Sequence, residues 1–503
     1  MVDLPNFSSL QILQKSKKVQ RTDLDACDHA LIVVPRDSAL PRLPLASLIG
    51  ELRKHALKRE SCAIGTRLAN AKATGLTVSV ADDHESAFAR LTWARKTIAE
   101  CLDGGTTRLA LLVAGFDDVP RSTLIEALIL AAEAASFALP EFSSRAPKSR
   151  LRQVVILEAR PRMDLRQLRA EALGNNIARW FTQMPPNKLT ARDYRALLET
   201  LAKTHGVKSA FLDEAQLARR KAGAFLAVAQ GNADRDAGIL RLSYTPESGR
   251  ADRLTLVGKG ILFDTGGNNL KPFRGMLDMH ADMQGSAVAA GTLIALATLR
   301  VPYRVDAWLA ITENRVSATA YKSQDVVTAS NGTTIQVIHT DAEGRMVLAD
   351  TLAIAAEDDP CLIIDYATLT GACVTALTSA YSGVFTNRDS LRDAAATAGR
   401  ESGERVWPFP MDNDFDKGLK SIVADTKQCS EDGAGDHILA ARFLGRFVPE
   451  SIPWIHVDLS AAQHKGGLAH VPSECTGFGV RWTLNLLARQ LRLADGIELL
   501  GRA

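Results

Sequence analysis

The chain has 503 residues, of which 46% are hydrophobic, 23% charged and 6% aromatic. Those fractions are ordinary for globular proteins and exclude collagen-like, disordered and coiled-coil classes. Sixty basic against 57 acidic residues leave +3, too little to argue for a nucleic-acid partner on charge alone. The basic excess is concentrated before residue 180, and the remainder is net acidic. A basic front module and a carboxylate-rich back module are therefore expected. The cysteines run from Cys27 to Cys475 without a C-x-x-C, which fits reduced thiols in a cytosolic protein. The first residues, MVDLPNFSSLQILQKSKKVQ, carry an acid at position 3 and no apolar run, so no signal peptide is expected. The longest apolar stretch, around 122–140, contains Glu126 and Glu133 and is too polar to span a bilayer. The expectation is a cytoplasmic protein with no membrane partner.

Taken in order, ALIVVP (30–35), LTVSVAD (76–82), RLALLVAG (108–115) and RQVVILEA (152–159) read as buried strands. Between them, 86–102 and 121–138 have helical spacing, so residues 1–160 form an α/β domain with mostly parallel strands. Residues 163–184 keep a helical period that ends at Pro185–Pro186, which makes 161–187 a helical connector. Thr190 and Asp193 then have the spacing of a capping box opening a helix over 191–203. Within 188–503, αβ alternation resumes. Strands are expected at FLAVAQ (225–230), GILRLSY (238–244), RLTLVGKG (253–260), VDAWLAIT (305–312), TIQVIH (334–339), CLIIDYAT (361–368) and WIHVDL (454–459). Helices are expected over 284–299 and 346–357.

Two stretches carry chemistry: LVGKGILFDTGGNNLKPFRGMLDMHADMQGSA (256–287) and HTDAEGRMVLAD (339–350). In the first, a strand ends in Gly258-Lys259-Gly260, placing Lys259 on a loop at a strand C-terminus, where open α/β sheets bind ligands. A surface turn is the plain alternative. Neither a dinucleotide fingerprint nor a P-loop is satisfied there. Asp278 and Asp282 are four apart and share a face if helical, either as a solvated acidic edge or as part of a site. Asp341 and Glu343 point the same way if the chain stays extended, with an acidic helix cap as the plain alternative. Arg345 follows at a helix start, where an anion would also meet backbone amides. Asp264, Asp282, Asp341 and Glu343 cannot converge without counter-charge, and two divalent cations would supply it. Oxygen ligands with one nitrogen suit Zn²⁺, Mn²⁺ or Co²⁺, and such pairs activate water for hydrolysis. G-x-S-x-G and H-E-x-x-H are absent, which argues against a serine hydrolase elbow and a thermolysin-type site. His456 and Asp458 alternate on a strand and read as a satisfied polar pair.

On these residues the chain resembles the leucine aminopeptidases, also called cytosol aminopeptidases. The family signature Asn-Thr-Asp-Ala-Glu-Gly-Arg-Leu stands here as His339-Thr-Asp-Ala-Glu-Gly-Arg-Met346. The metal-binding stretch stands as Gly258-Lys259-Gly260, Asp264 through Gly267, Lys271-Pro272 and Asp282-Met283. TQMPPNKLT (182–190), ASNGTTIQV (329–337), DYATLTGA (365–372) and TGFGV (476–480) extend the likeness over about residues 165–490.

The resemblance implies a macro-like N-terminal α/β domain, a larger catalytic α/β domain with a mixed sheet, and a homohexamer. It implies a leucyl-type metallo-aminopeptidase acting on peptides with a free N-terminus. Two divalent ions, Mn²⁺ or Zn²⁺, would be held by Lys259, Asp264, Asp282, Asp341 and Glu343, with Asp264 and Glu343 bridging them. Lys271 would stabilise the oxyanion, and Arg345 would hold a bicarbonate general base. Met279, Thr368, Leu369 and Gly371 would line the pocket for the N-terminal side chain. His339 and Met346 depart from the signature, and His280 stands where many members have Lys. Met346 is a volume-conserving change. Each histidine is either a hydrogen-bonded imidazole at the site's edge or an influence on substrate choice and pH profile. The alternative for the whole chain is a DNA-binding or catalytically silent relative of the same fold.

Overall fold

The structure, a computed structural model, describes residues 2–58, 63–82, 86–144, 150–248 and 252–492. Cys62 and the last eleven positions of the 188–503 stretch lie outside the described residues. The chain divides into two units. One holds Asn6–Ala172 with Lys465–Glu474, and the other holds Leu173–His464, the chain from Cys475 on and the first five residues. The division falls inside the helix Arg166–Thr182.

The first unit is built on a six-stranded sheet of β1 (Gln11–Gln14), β2 (His29–Pro35), β3 (Ala63–Arg67), β4 (Gly75–Ala81), β5 (Arg108–Val113) and β6 (Gln153–Ile156). Its order is β1-β6-β5-β2-β4-β3, parallel throughout except for the edge pair β3–β4. Along β2, Leu31 and Val33 pack with the helices Ala87–Leu102 and Asp118–Ser136. Ala30, Ile32 and Val34 pack with the helix Ala46–Lys58 on the opposite face. Both faces are dry, so the strand is an unbroken apolar run instead of an alternating one. The four expected strands are all present. The two edge strands, short and half polar, lacked that apolar signal.

The second unit carries β7 (Lys208–Asp213), β8 (Gly238–Tyr244), β9 (Arg253–Asp264), β10 (Arg304–Asn314), β11 (Val326–Thr328) and β12 (Thr334–Gln336). It continues with β13 (Leu362–Ala367), β14 (Ser382–Thr386), β15 (Val406–Pro408), β16 (Thr426–Lys427) and β17 (Trp454–Asp458). Eight of them form a mixed sheet, β15-β14-β17-β13-β9-β10-β8-β7, and β11-β12-β16 form a small one. The central strands β17, β13, β9 and β10 are parallel, with antiparallel neighbours β14 and β8 outside them. The C-terminal ends of all four central strands therefore open on one edge.

Two helices cover the centre. Gln284–Leu299 is buried from Gln284 through Ala297, and Glu343–Ala356 is buried over nearly its whole length. Mostly apolar and buried on every side, they are core helices. Met346 sits in that core beside Val347 and Leu348, as a volume-conserving change predicts. FLAVAQ is not a strand. It belongs to the helix Gly223–Ala229, packed against Glu343–Ala356, with the Phe225 amide bonded to Asp350 Oδ2 at 2.7 Å. A short run buried on all sides has no period to tell helix from strand.

Candidate active site

β9 does not stop at Gly260; it runs on to Asp264, so Lys259 lies in mid-strand opposite Ala310 of β10. The flanking glycine serves close packing instead of a turn. A Cβ on Gly258 would stand 2.4 Å from Ser286 Cα, so any side chain there would wedge the helix Gln284–Leu299 off the sheet. Gly344 clears space in the same way, because a Cβ there would meet Lys259 Cε at 2.6 Å. The lysine stem thus threads between the helix starts, and its ammonium emerges where the parallel strands end.

At that edge Lys259 Nζ lies 2.8 Å from Asp282 Oδ2, 2.9 Å from Glu343 Oε1 and 2.9 Å from the Thr368 carbonyl. Lys271 Nζ lies 2.8 Å from Asp264 Oδ2 and 2.5 Å from Asp341 Oδ1. One carboxylate oxygen from each of Asp264, Asp341 and Glu343 lies within 4.8 Å of the others. Asp264 ends β9, Glu343 opens its helix, and Asp341 reaches in from an irregular turn, not from extended chain. β12 ends at Gln336, short of the strand expected to 339. Asp282 arrives on the short turn Met279–Ala281, where Asp278 is exposed and Asp282 is buried. The two acids share no helical face.

Two lysines against four carboxylates leave two negative charges over. Burial raises the Asp282 carboxyl against the pull of Lys259, with Glu343 and Asp264 adding to the rise. Asp341 is raised by burial, Asp264 and Glu343, and Glu343 by burial and Asp264. Burial works against charge on Lys259 and Lys271, but the surrounding acids outweigh it and hold both above the ordinary lysine value. Carboxylates this close resist ionising together. The donor set, one amine and four carboxylates short of positive charge, fits two divalent cations.

A cavity of about 500 Å³ opens beside this cluster, entirely within the second unit. It is lined by Met279, Thr368, Leu369 and Gly371, the residues expected to form the side-chain pocket, together with Lys259, Asp264, Lys271, Asp282, Asp341 and Glu343. Thr368 donates from Oγ1 to Asp282 Oδ1 at 2.7 Å.

Three supporting residues had no site role assigned from the sequence, and only Asn314 lay outside every stretch singled out there. Asn314, at the end of β10, donates from Nδ2 to Asp264 Oδ1 at 2.7 Å and to the Thr340 carbonyl at 3.0 Å. Thr340 donates from Oγ1 to the Gly266 carbonyl at 2.7 Å and so ties the two motif stretches together. Asp458 accepts from Thr370 Oγ1 at 2.6 Å and from the Leu369 amide at 3.2 Å, fixing one wall of the cavity. It does not pair with His456, whose Nδ1 bonds Asp365 Oδ1 at 2.6 Å. The two therefore have different partners, Asp458 on the cavity wall and His456 on Asp365, and the buried His456 Nε2 has no hydrogen-bond partner among the described residues.

Arg345 is buried, 2% exposed, and bound to an anion of the chain itself. Nη1 and Nη2 donate to Asp436 Oδ1 and Oδ2 at 2.9 and 2.7 Å, a bidentate pair, and Nη1 also reaches the Gln428 carbonyl at 3.3 Å. Asp436 was not singled out by any sequence pattern. His339 accepts on Nδ1 from the Asp341 amide at 3.2 Å and does not line the cavity. An asparagine in its place makes the same local bond. His339→Asn is therefore expected to leave the ranking of substrates across a panel unchanged, and a reordering of relative rates would assign His339 to specificity. His280 is half-buried and is not among the lining residues either.

Residues 176–484 match the catalytic domain of the cytosol aminopeptidase family. The chain belongs to that family. A probable cytosol aminopeptidase of Synechococcus sp. (strain WH7803) is 40% identical over 320 residues, 63% of this chain and 64% of the relative. One from Syntrophotalea carbinolica is 41% identical over 325 residues, 64% of this chain and 65% of the relative. The aligned sequence thus spans just under two thirds of these relatives' length. Among solved structures, the bottromycin maturation enzyme BotP in complex with Mn matches with a TM-score of 0.81 at 28% identity, over 93% of this chain and 100% of that one. A tomato leucine aminopeptidase mutant matches with a TM-score of 0.82 at 26% identity, over 95% and 96%. The mixed α/β fold is thus shared with leucine aminopeptidases. No helix among the described residues is long and apolar enough to cross a membrane.

Proposed function

We propose that this cytosol aminopeptidase family member is a metal-dependent aminopeptidase that removes N-terminal residues from peptides in the cytoplasm. The observation that carries the reading is the convergence of Lys259, Asp264, Asp282, Asp341 and Glu343 in a cavity also lined by Met279, Thr368, Leu369 and Gly371. Those five residues are the ones to hold two divalent cations, and the similarity to BotP, whose structure is a complex with Mn, supports Mn²⁺ as one choice beside Zn²⁺. Bound there, the cations supply Lewis-acid polarisation, a lowered water pKa and a position for the substrate's free α-amine.

The chain's own residues do the rest. Thr368 and Lys259 hold Asp282 in place, and Asn314 holds Asp264. Lys271, kept cationic by its acidic neighbours, faces the cavity where a tetrahedral oxyanion would form and stabilises it. Met279 and Leu369 offer apolar surface to the N-terminal side chain. The bicarbonate implied at Arg345 does not fit the guanidinium as it stands, because Asp436 takes both terminal nitrogens. The machinery is assigned to residues 188–503, with 1–160 as a macro-like domain, 161–187 as a connector, and a hexamer as the assembly.

The test is turnover of aminoacyl p-nitroanilides and dipeptides by protein stripped of metal and refilled with Mn²⁺ or Zn²⁺. Metal-dependent release confined to substrates with a free α-amine is expected. Silence from folded, metal-loaded protein would overturn the reading.

A further inference from the structure

We propose that Asp436 is the built-in anion of Arg345, so that this enzyme neither binds nor needs a free bicarbonate there. The inference rests on the aminopeptidase reading and deepens it. A carboxylate and a bicarbonate present the same planar two-oxygen edge to a guanidinium fork, so only one can occupy it. Here the occupant comes from 91 residues along the chain, at 2.9 and 2.7 Å on the two terminal nitrogens. The third contact, from the Gln428 carbonyl, falls on Nη1 as well. Only Nε is left without a partner, and it is buried. A free anion would therefore gain one donor in place of a fork.

The pair is also asymmetric in exposure. The Arg345 side chain is 2% exposed and that of Asp436 23%. The guanidinium is the fixed, interior member, and the carboxylate closes over it from the solvent side. Asp436 opens the helix Asp436–Gly445, directly after Gly435, whose φ of 63° sets the entry turn. A tethered carboxylate acts at an effective concentration of about millimolar or more, which a dissolved anion must exceed to displace it. Arg345 lies two residues from Glu343, at the start of the same helix, so the charge on its fork is felt at the metal-binding edge. Asp436 is thus a positioning residue that acts through Arg345.

The experiment uses full-length, metal-loaded protein in buffer freed of carbon dioxide, with bicarbonate then added back. Bicarbonate binding is followed in parallel by calorimetry, which does not depend on turnover. Native protein is expected to show no bicarbonate binding and a rate that added bicarbonate leaves unchanged. Asp436→Ala vacates the fork. It is expected to lose about tenfold or more in kcat without bicarbonate, to bind bicarbonate, and to regain rate when it is added. A structural role alone would not give rescue by a free anion. Native protein that binds or requires bicarbonate overturns the proposal, as does a folded alanine variant that binds none. If the alanine variant does not fold, Asp436→Asn keeps the volume with one acceptor oxygen, and failure of that variant to gain bicarbonate binding overturns the proposal equally. Native protein silent on every peptide, with the calorimetric contrast intact, would sink the aminopeptidase reading and leave the anion assignment standing.

Discussion

Asp341→Ala is expected to cut turnover by more than about 10²-fold and to lower the metal content, while raising the stability of the metal-stripped protein. The two effects have opposite signs for one reason. Asp341 sits with Asp264 and Glu343 inside a 4.8 Å cluster, and burial with those neighbours raises its carboxyl above the ordinary value. A folded-state pKa above the unfolded one means that the folded chain keeps a proton the unfolded chain has released. Stability of the stripped protein then falls as pH rises through and above the usual carboxylate range. Removing Asp341 removes its share of that slope and relieves its neighbours Asp264 and Glu343. Lys271 keeps its contact with Asp264 at 2.8 Å, so no buried ammonium is left alone. Cations reverse the balance, since the charge that repels in their absence ligates in their presence. Melting curves of stripped native and variant protein across about pH 5–8, beside metal analysis, check both halves. A variant that melts lower than native when stripped would mean the carboxylate is structural, and normal turnover with full metal would remove it from the site.

The same residues show how far the sequence reaches. Asp264, Asp282, Asp341 and Glu343 could be named because two short stretches match a family motif. The side-chain geometry read from their spacing did not hold, since Asp282 follows a short turn and Asp341 an irregular one. The fold joins the two stretches through Thr340, which lies inside the second but had no role assigned, and through Asn314, which carries no motif and becomes visible only when β9 and β10 lie side by side. Lys259 was identifiable as a residue but not in place. Gly-Lys-Gly is equally the pattern of a turn and of a strand crossed tightly by a helix, and only Ser286 decides between them. FLAVAQ failed because its burial is complete, which erases the period that separates helix from strand. Asp436 was hidden for a different reason. An acid in the first turn of a helix looks like a cap in any sequence, and its real partner stands 91 positions earlier. Local pattern therefore carried the acidic cluster and the parallel core, whereas the contacts behind them depend on chain returns that no local pattern encodes.

Lys271→Ala is expected to leave the metal content unchanged and to lower kcat by about 10²–10³-fold, the usual scale for losing one preorganised charge at an oxyanion. Two geometric facts separate Lys271 from Lys259, although both are lysines among carboxylates. Lys259 is 3% exposed, with its ammonium between Asp282, Glu343 and the Thr368 carbonyl. Lys271 comes from the loop after β9 and keeps 15% of its side chain exposed on the cavity side, touching Asp264 and Asp341. A ligand must give up its proton, and an oxyanion partner must keep it. In the metal-free protein the surrounding acids hold both lysines above the ordinary lysine value, so exposure and position at the cavity, not the shift, set Lys271 apart. Folded-state stabilisation of that ammonium is complete below the ordinary lysine pKa and lost only as pH rises through the raised one. Turnover is accordingly expected to show no alkaline loss from this group near neutrality. Lys271→Arg keeps the charge but replaces a compact ammonium with a planar fork, so it should recover part of kcat with metal binding as intact as in the alanine variant. Equal loss of metal and rate in Lys271→Ala would make Lys271 a ligand, and an unchanged kcat would mean that the oxyanion is stabilised by other groups on the cavity wall.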